Sequence, residues 1–245
     1  MVAAEHEARP KVEKRGTFWH PRRPFTVLFF CLLAATLVRP LVAYHRVGHA
    51  VFGAIMVFFF LAAIRVLCHT SLERWAACLL GGTWLVARIL EFFGNASSAP
   101  VGVVSRVAEI AFLGLIVTLL VAAILRKHTV TLDNILGAFA GYLLIALIFG
   151  IAFSLVELTL PGSFHVHEAL QVEFDSPARR DWVLNYFSCT TLMTVGYGDI
   201  TPVRPAARTL AMIEAMTGQI YLAVLVAVLV GISVSQGFLH RHDTK

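Results

Sequence analysis

Thr190-Thr191-Leu192-Met193-Thr194-Val195-Gly196-Tyr197-Gly198-Asp199 is short, turn-like and punctuated by glycine, and it lies between two long apolar runs. Within it, Thr194 to Gly198 read TVGYG. A loop that strips water from a cation must turn successive backbone carbonyls toward one axis. Carbonyls that all face one way demand alternating backbone hands, and glycine reaches positive φ without steric cost. Gly196 and Gly198 occupy alternate positions. The pattern predicts Val195 and Tyr197 turned away into supporting packing, with the Thr194 hydroxyl adding an oxygen at the inner end.

The rest of the chain decides where such a loop sits. Of 245 residues, 58% are apolar and 14% charged, a balance that leaves no place for so much apolar surface except lipid. Apolar runs repeatedly reach the ~20 residues that cross a ~30 Å hydrocarbon core. Spans are expected at about 25–43, 49–67, 75–93, 102–125, 133–159 and 207–235. The first run follows a basic tail and lacks a small-residue cleavage site, so no cleavable signal is expected. Cys31, Cys68, Cys78 and Cys189 lie in or beside apolar runs and read as buried reduced thiols. The net charge of +5 is topological, because the cations cluster beside spans, and nucleic acid is not an expected partner.

Residues 1–23 hold Arg9, Lys11, Lys14, Arg15, Arg22 and Arg23, a cytoplasmic anchor that also suits anionic lipid. With this tail inside, twelve Lys/Arg fall on inner segments and six on outer ones, which predicts both termini in the cytoplasm. The run 102–125 carries Arg106 and Glu109, then sixteen uncharged residues before Arg126. A voltage sensor needs several arginines at every third position, and no such ladder is present. Arg88 and Glu91 are i,i+3 neighbours suited to a local pair. Asn95-Ala96-Ser97 fits a glycosylation sequon, a motif that arises readily by chance. Thr131 or Asp133 is expected to cap the fifth span, and Gly137-x-x-x-Gly141 suits close helix approach.

Outside that span, Glu157, Glu168, Glu173, Asp175 and Asp181 face Arg179 and Arg180, a net −3 that would draw cations. His165, His167 and Glu168 are metal-ligand types, but their spacing is loose and the stretch reads as exposed loop; no metal is expected there. Asp181 to Met193 is thirteen residues, roughly 20 Å of helix, too short to span. It reads as a re-entrant helix over Trp182–Met193, N-capped by Asp181, which descends partway and hands over to the glycine loop. Glu214 is a carboxylate in a membrane helix and so a functional candidate, first through a bond to the back of the loop and second as a proton sensor.

On these residues the chain resembles the tetrameric potassium channels. Residues from about Thr131 to Gly237 look like their pore domain, and the whole chain is similar to the small bacterial channels with six spans and no attached cytosolic domain. The resemblance implies an all-α membrane protein with six transmembrane helices. A re-entrant pore helix and selectivity-filter loop would lie between the fifth and sixth helices, in a homotetramer. It divides the chain into a cytoplasmic tail (1–23), a four-helix membrane domain (24–130), the pore domain (131–237) and a short cytoplasmic tail (238–245). K⁺ would be the permeant ion, bound by Thr194, Val195, Gly196, Tyr197 and Gly198, with no enzyme chemistry and no cofactor. Asp199 commonly braces against pore-helix aromatics in this family, and Tyr186 is the matching partner here. Thr190 stands where some members carry an acid behind the filter, which puts that contact in doubt. Gly218 lies 22 residues after Gly196, the spacing of a common inner-helix hinge, although close packing also explains a glycine there. Gln219, Leu222 and Val226 would face the cavity. A less selective cation channel usually disrupts the GYG, which is intact. A non-conducting subunit with a borrowed pore fold is the remaining alternative. The implied setting is a cell membrane, bacterial and inner, with lipid as partner.

Overall fold

The structure is a computed structural model that describes residues 24–42, 46–68, 70–92, 99–126 and 131–242. It contains α1 (Pro24–Val42), α2 (Arg46–Leu67), α3 (Ser71–Phe92), α4 (Ala99–Leu125) and α5 (Leu132–Thr159). After them come β1 (Phe164–Val166), α6 (Glu168–Asp175), α7 (Pro177–Leu192), β2 (Ile200–Pro202) and α8 (Pro205–His242). Among the described residues, three helices are long and apolar enough to cross a membrane: Pro100–Leu125, Leu132–Thr159 and Pro205–Val228. Pro24–Val38 and Gly53–Leu67 are shorter apolar helices. The expected helices along α1 to α5 and α8 are therefore present as helices. Apolar side chains around most of the circumference of α4 and α5 leave no polar face, as lipid contact or deep burial requires.

The starts of α3 and α5 have a local cause. Thr70 and Glu73 form a reciprocal capping box, the Thr70 N–H donating to Glu73 Oε2 at 3.0 Å and the Glu73 N–H to Thr70 Oγ1 at 3.2 Å. Thr131 caps α5 by accepting from the Asn134 N–H at 3.3 Å. Asp133, the other candidate cap, instead accepts from the Thr26 N–H and Oγ1 at 2.9 Å each, tying α1 to α5. The core of the first five helices is aromatic at its centre, where Phe60 packs on Trp84 and Phe112 with ring centroids 4.6 and 4.2 Å apart. The two small residues of α5 admit side chains from two different helices: Gly137 receives the Phe25 ring of α1, and Gly141 receives the Tyr221 hydroxyl of α8.

Several expectations are corrected. The segment between α5 and α7 is not plain loop, because β1 and β2 pair antiparallel, with Phe164 opposite Pro202 and Val166 opposite Ile200, and α6 follows β1. The molecule is thus helical with one two-stranded ribbon. Phe164, Val166, Phe174, Phe187 and Ile200 bury a second core beneath this ribbon, which offsets the cost of ordering it. Helix α8 runs on through Phe238 to His242. Its 38 residues correspond to roughly 57 Å at 1.5 Å rise, well beyond a ~30 Å core. All four cysteines are free, but Cys68 alone is buried and Cys78 is exposed on the protomer. The sequon at Asn95, the tail 1–23 and the side chains of Arg88 and Glu91 lie outside the described residues.

Candidate functional site

The site begins at the C-terminal end of α7. Its N-terminus is Ser176 followed by Pro177 at N1, where the missing N–H and fixed φ of proline fit a helix start. The helix therefore begins five residues before Trp182, and Asp181 is not its cap. Asp181 lies within the helix, where it meets Arg106 of α4: Nη2 stands 3.0 Å from Asp181 Oδ1, and the two side chains are 14% and 13% exposed. Arg106 Nε donates to Ser154 Oγ at 3.0 Å, and the Ser154 hydroxyl donates to the same Asp181 oxygen. Three helices are joined by this one cluster.

At the other end of α7, the loop folds back on the helix. The Val195 N–H and Gly196 N–H both donate to the Thr190 carbonyl, at 2.8 and 3.3 Å, and the Thr194 N–H donates to Thr191 O at 3.0 Å. Thr190 itself is buried, and its hydroxyl donates to Phe187 O at 2.9 Å, so it turns into its own helix. Backbone hands alternate along the loop: φ is +58° at Thr194, +55° at Gly196 and +82° at Gly198, while Val195 and Tyr197 between them stay out of the positive region. A β-branched residue at positive φ is an outlier, and Thr194 held there is a feature that composition could not signal. The N–H groups of residues 194–196 are thus bound to α7. Among the described residues, no donor bonds to the carbonyls of residues 194–198. Residues 193–198 are exposed on the protomer. A free row of carbonyls, with alternating hands and the N–H groups of residues 194–196 engaged behind it, is arranged to accept from a ligand or water in front of it.

The flanking residues stiffen that arrangement. Tyr186 Oη donates to Asp199 Oδ2 at 2.8 Å, and the ring of Tyr186 stacks parallel to that of Tyr197 at 6.5 Å. Val195 and Tyr197 are not packed away within the protomer, being 49% and 71% exposed. The Asp199 carbonyl accepts from the His167 N–H at 2.8 Å, strapping the loop exit to the ribbon. His167 serves as N-cap of α6, its Nδ1 accepting from the Ala169 N–H at 3.2 Å; His165 is exposed on β1. Among the described residues, no group of three or more His, Cys, Asp or Glu is placed to hold a metal. Glu157 is buried and accepts from the Gly162 and Ser163 N–H groups at 2.9 and 2.8 Å. Asp181 is likewise engaged, Asp175 accepts from Gln171 Nε2 at 2.9 Å, and Glu168 and Asp175 are exposed on the protomer.

The inner-helix residues separate into two groups. Glu214 is fully buried and accepts nothing from the loop; its contact is with Ser188 on α7, one turn behind the loop. Gln219 and Val226 are exposed on α8, whereas Leu222 is half-buried against Tyr142 and Leu192. Gly218 is a contact point. A Cβ built there would lie 2.8 Å from both Leu192 Cδ1 and Leu192 O, and α8 continues unbroken through it. Close approach of α8 to the end of α7 accounts for this glycine. Tyr142 of α5 meets the same carbonyl, its hydroxyl donating to Leu192 O at 2.8 Å. Neither Tyr142 nor Ser188 was signalled by sequence, since their partners Leu192, Ala146 and Glu214 lie 50, 42 and 26 residues away.

Gly218→Ala is accordingly expected to lower thermal stability by about 1–3 kcal/mol, the range for overpacking. A hinge would give the opposite sign, because alanine strengthens a helix interior by ~1 kcal/mol. Thermal unfolding of the variant beside wild type separates the two.

A family model for ion channels matches residues 181–234, from Asp181 on α7 through the loop into α8. No curated protein and no solved structure matches the chain. The match supports an ion channel, and it points to passive transport and not to enzyme chemistry. The apolar helices place such a protein in a membrane.

Proposed function

We propose that the protein is a potassium-selective channel in which four copies surround one axis and K⁺ passes through a ring of carbonyls from Thr194 to Tyr197, with Gly198 and Asp199 closing the outer mouth. One chain supplies one loop, and four loops are needed to enclose an ion. The observation that carries this reading is the state of the loop: positive φ at residues 194, 196 and 198, donors bound to α7, and carbonyls uncommitted. The exposed side chains of Val195 and Tyr197, and an α8 whose spanning window is only 11% buried, supply apolar surface for neighbouring copies. In this reading α1–α5 and α8 are six spans, α7 is re-entrant, residues 24–130 form a four-helix domain beside the pore domain 131–237, and both termini are cytoplasmic. K⁺ is the permeant ion, lipid the solvent, and a bacterial inner membrane the setting.

Reconstitution into liposomes tests this directly. K⁺ efflux through the purified protein, with Na⁺ strongly excluded, is the expected result; equal K⁺ and Na⁺ rates, or none, would overturn it. A second measurement concerns gating. Arg106 is the single cation within α4 and is tied to Asp181 on the pore helix. With no ladder of movable charge, open probability should vary weakly with voltage. A steep conductance–voltage curve carrying several gating charges would contradict that.

A further inference from the structure

Ser188 sits where three helices meet. Its Oγ lies 2.6 Å from the Ala146 carbonyl of α5 and also hydrogen-bonds Glu214 Oε1 of α8. A hydroxyl owns one proton, and a carbonyl owns none. An oxygen–oxygen contact of 2.6 Å to Ala146 therefore takes the Ser188 proton. The bond to Glu214 needs a second proton, and the carboxyl is the one group in that bond able to supply it. An ionised carboxylate is acceptor-only and would set lone pair against lone pair.

We infer that Glu214 is a neutral carboxylic acid that donates to Ser188, and that through this bond it acts as a positioning residue for the pore helix; the second half of this inference rests on the channel reading above. Its surroundings agree. Glu214 has 0% exposure, and among the described residues no Lys, Arg or His pairs with it. Among the described residues its Oε2 has no hydrogen-bond partner, which suits the carbonyl oxygen of an acid far better than half of a buried charge. Among the described residues, the titratable groups that interact with it are Cys189 on α7 and Tyr142 on α5, and neither is a cation.

The consequence runs along α7. Ser188 stands two residues before Thr190, whose carbonyl holds the Val195 and Gly196 N–H groups. A relay from Glu214 through Ser188 to Ala146 locks the rotation of α7 between α5 and α8, and so fixes where those loop donors are anchored. The acid is thus a part of the scaffold that sets carbonyl direction, without touching the ion.

Infrared spectroscopy of the purified protein in lipid tests the proton, and flux tests its use. The wild-type minus Glu214→Gln difference spectrum is expected to contain the C=O stretch of a protonated carboxylic acid; carboxylate bands in its place would overturn the assignment. Glu214→Gln keeps a donor of the same shape, whereas Glu214→Ala leaves Ser188 Oγ short of one. K⁺ flux should fall roughly tenfold in the alanine variant and recover in the glutamine variant. Equal loss in both would remove the positioning role. Should the alanine variant fail to assemble, Ser188→Ala replaces it: loss of the acceptor must shift the acid C=O frequency, and an unmoved band refutes the bond. An acid band in a protein that passes no K⁺ would sink the channel reading alone, while selective flux without that band would sink the acid alone.

Discussion

Gly196→Ala is expected to abolish selective K⁺ flux while leaving the helices inserted and the protein assembled. Space is not the obstacle, since a Cβ at Gly196 meets no heavy atom within 4 Å in the protomer. The obstacle is φ, at +55°. An L-residue in the left-handed region costs roughly 1–2 kcal/mol, and four copies around one axis raise this to roughly 4–8 kcal/mol for the ring. Thr194 already carries one such residue at +58°, so the loop has little tolerance for a second. The chain can escape by flipping a peptide, but that turns a carbonyl out of the row, which is the very feature a selective filter needs. Gly162 provides the control. It too has positive φ (+76°) and open surroundings, yet it lies in the outer segment, held by Glu157. Gly162→Ala carries the same backbone cost and should leave the K⁺/Na⁺ permeability ratio unchanged. An ordinary ratio in Gly196→Ala would refute the role given to the loop.

Arg106→Ala is expected to destabilise the protein by about 3 kcal/mol and to impair flux with it. Removing one partner of a buried pair leaves an uncompensated charge, at a cost of roughly 3–5 kcal/mol, and the slight exposure here places the effect at the lower end. The guanidinium serves three partners at once, Nε toward Ser154, Nη2 toward Asp181 and Nη1 toward the Gly102 carbonyl. A lysine supplies one point charge with no such fork, so Arg106→Lys should recover only part of the loss. Pairing Arg106→Ala with Asp181→Asn should give less than the sum of the two single losses, because both changes remove the same Arg106–Asp181 contact. Strict additivity in thermal unfolding would show that the contact contributes nothing.

Much of this molecule is visible in short windows of sequence. Except at the C-terminal end of α8, the apolar runs gave helix positions to within a few residues, since length and hydropathy are properties of each segment alone. The glycine alternation at Gly196 and Gly198 required positive φ at those positions, and both have it. The Tyr186–Asp199 pairing, suggested by family resemblance, has its counterpart in a 2.8 Å hydrogen bond. Misreadings occurred where two plausible local choices competed. Asp181 has the chemistry of an N-cap, but Ser176-Pro177 starts the helix earlier and leaves the carboxylate for Arg106. Phe164-His165-Val166 is too brief to declare a strand until Ile200 arrives beside it.

From sequence alone came the lipid-soluble class of the chain, the run of helices, and a loop built to expose carbonyls, because periodicity, apolar length and glycine's freedom in φ act within a few residues. Tertiary structure decided the long-range partners of the polar groups between helices: Arg106 with Asp181, Tyr142 with Leu192, and Glu214 with Ser188, across separations of 75, 50 and 26 residues. The physical reason is that a buried donor or acceptor must be satisfied by whatever the packed helices bring to it. Which helices come together is a property of the whole fold, and no window of the chain contains it.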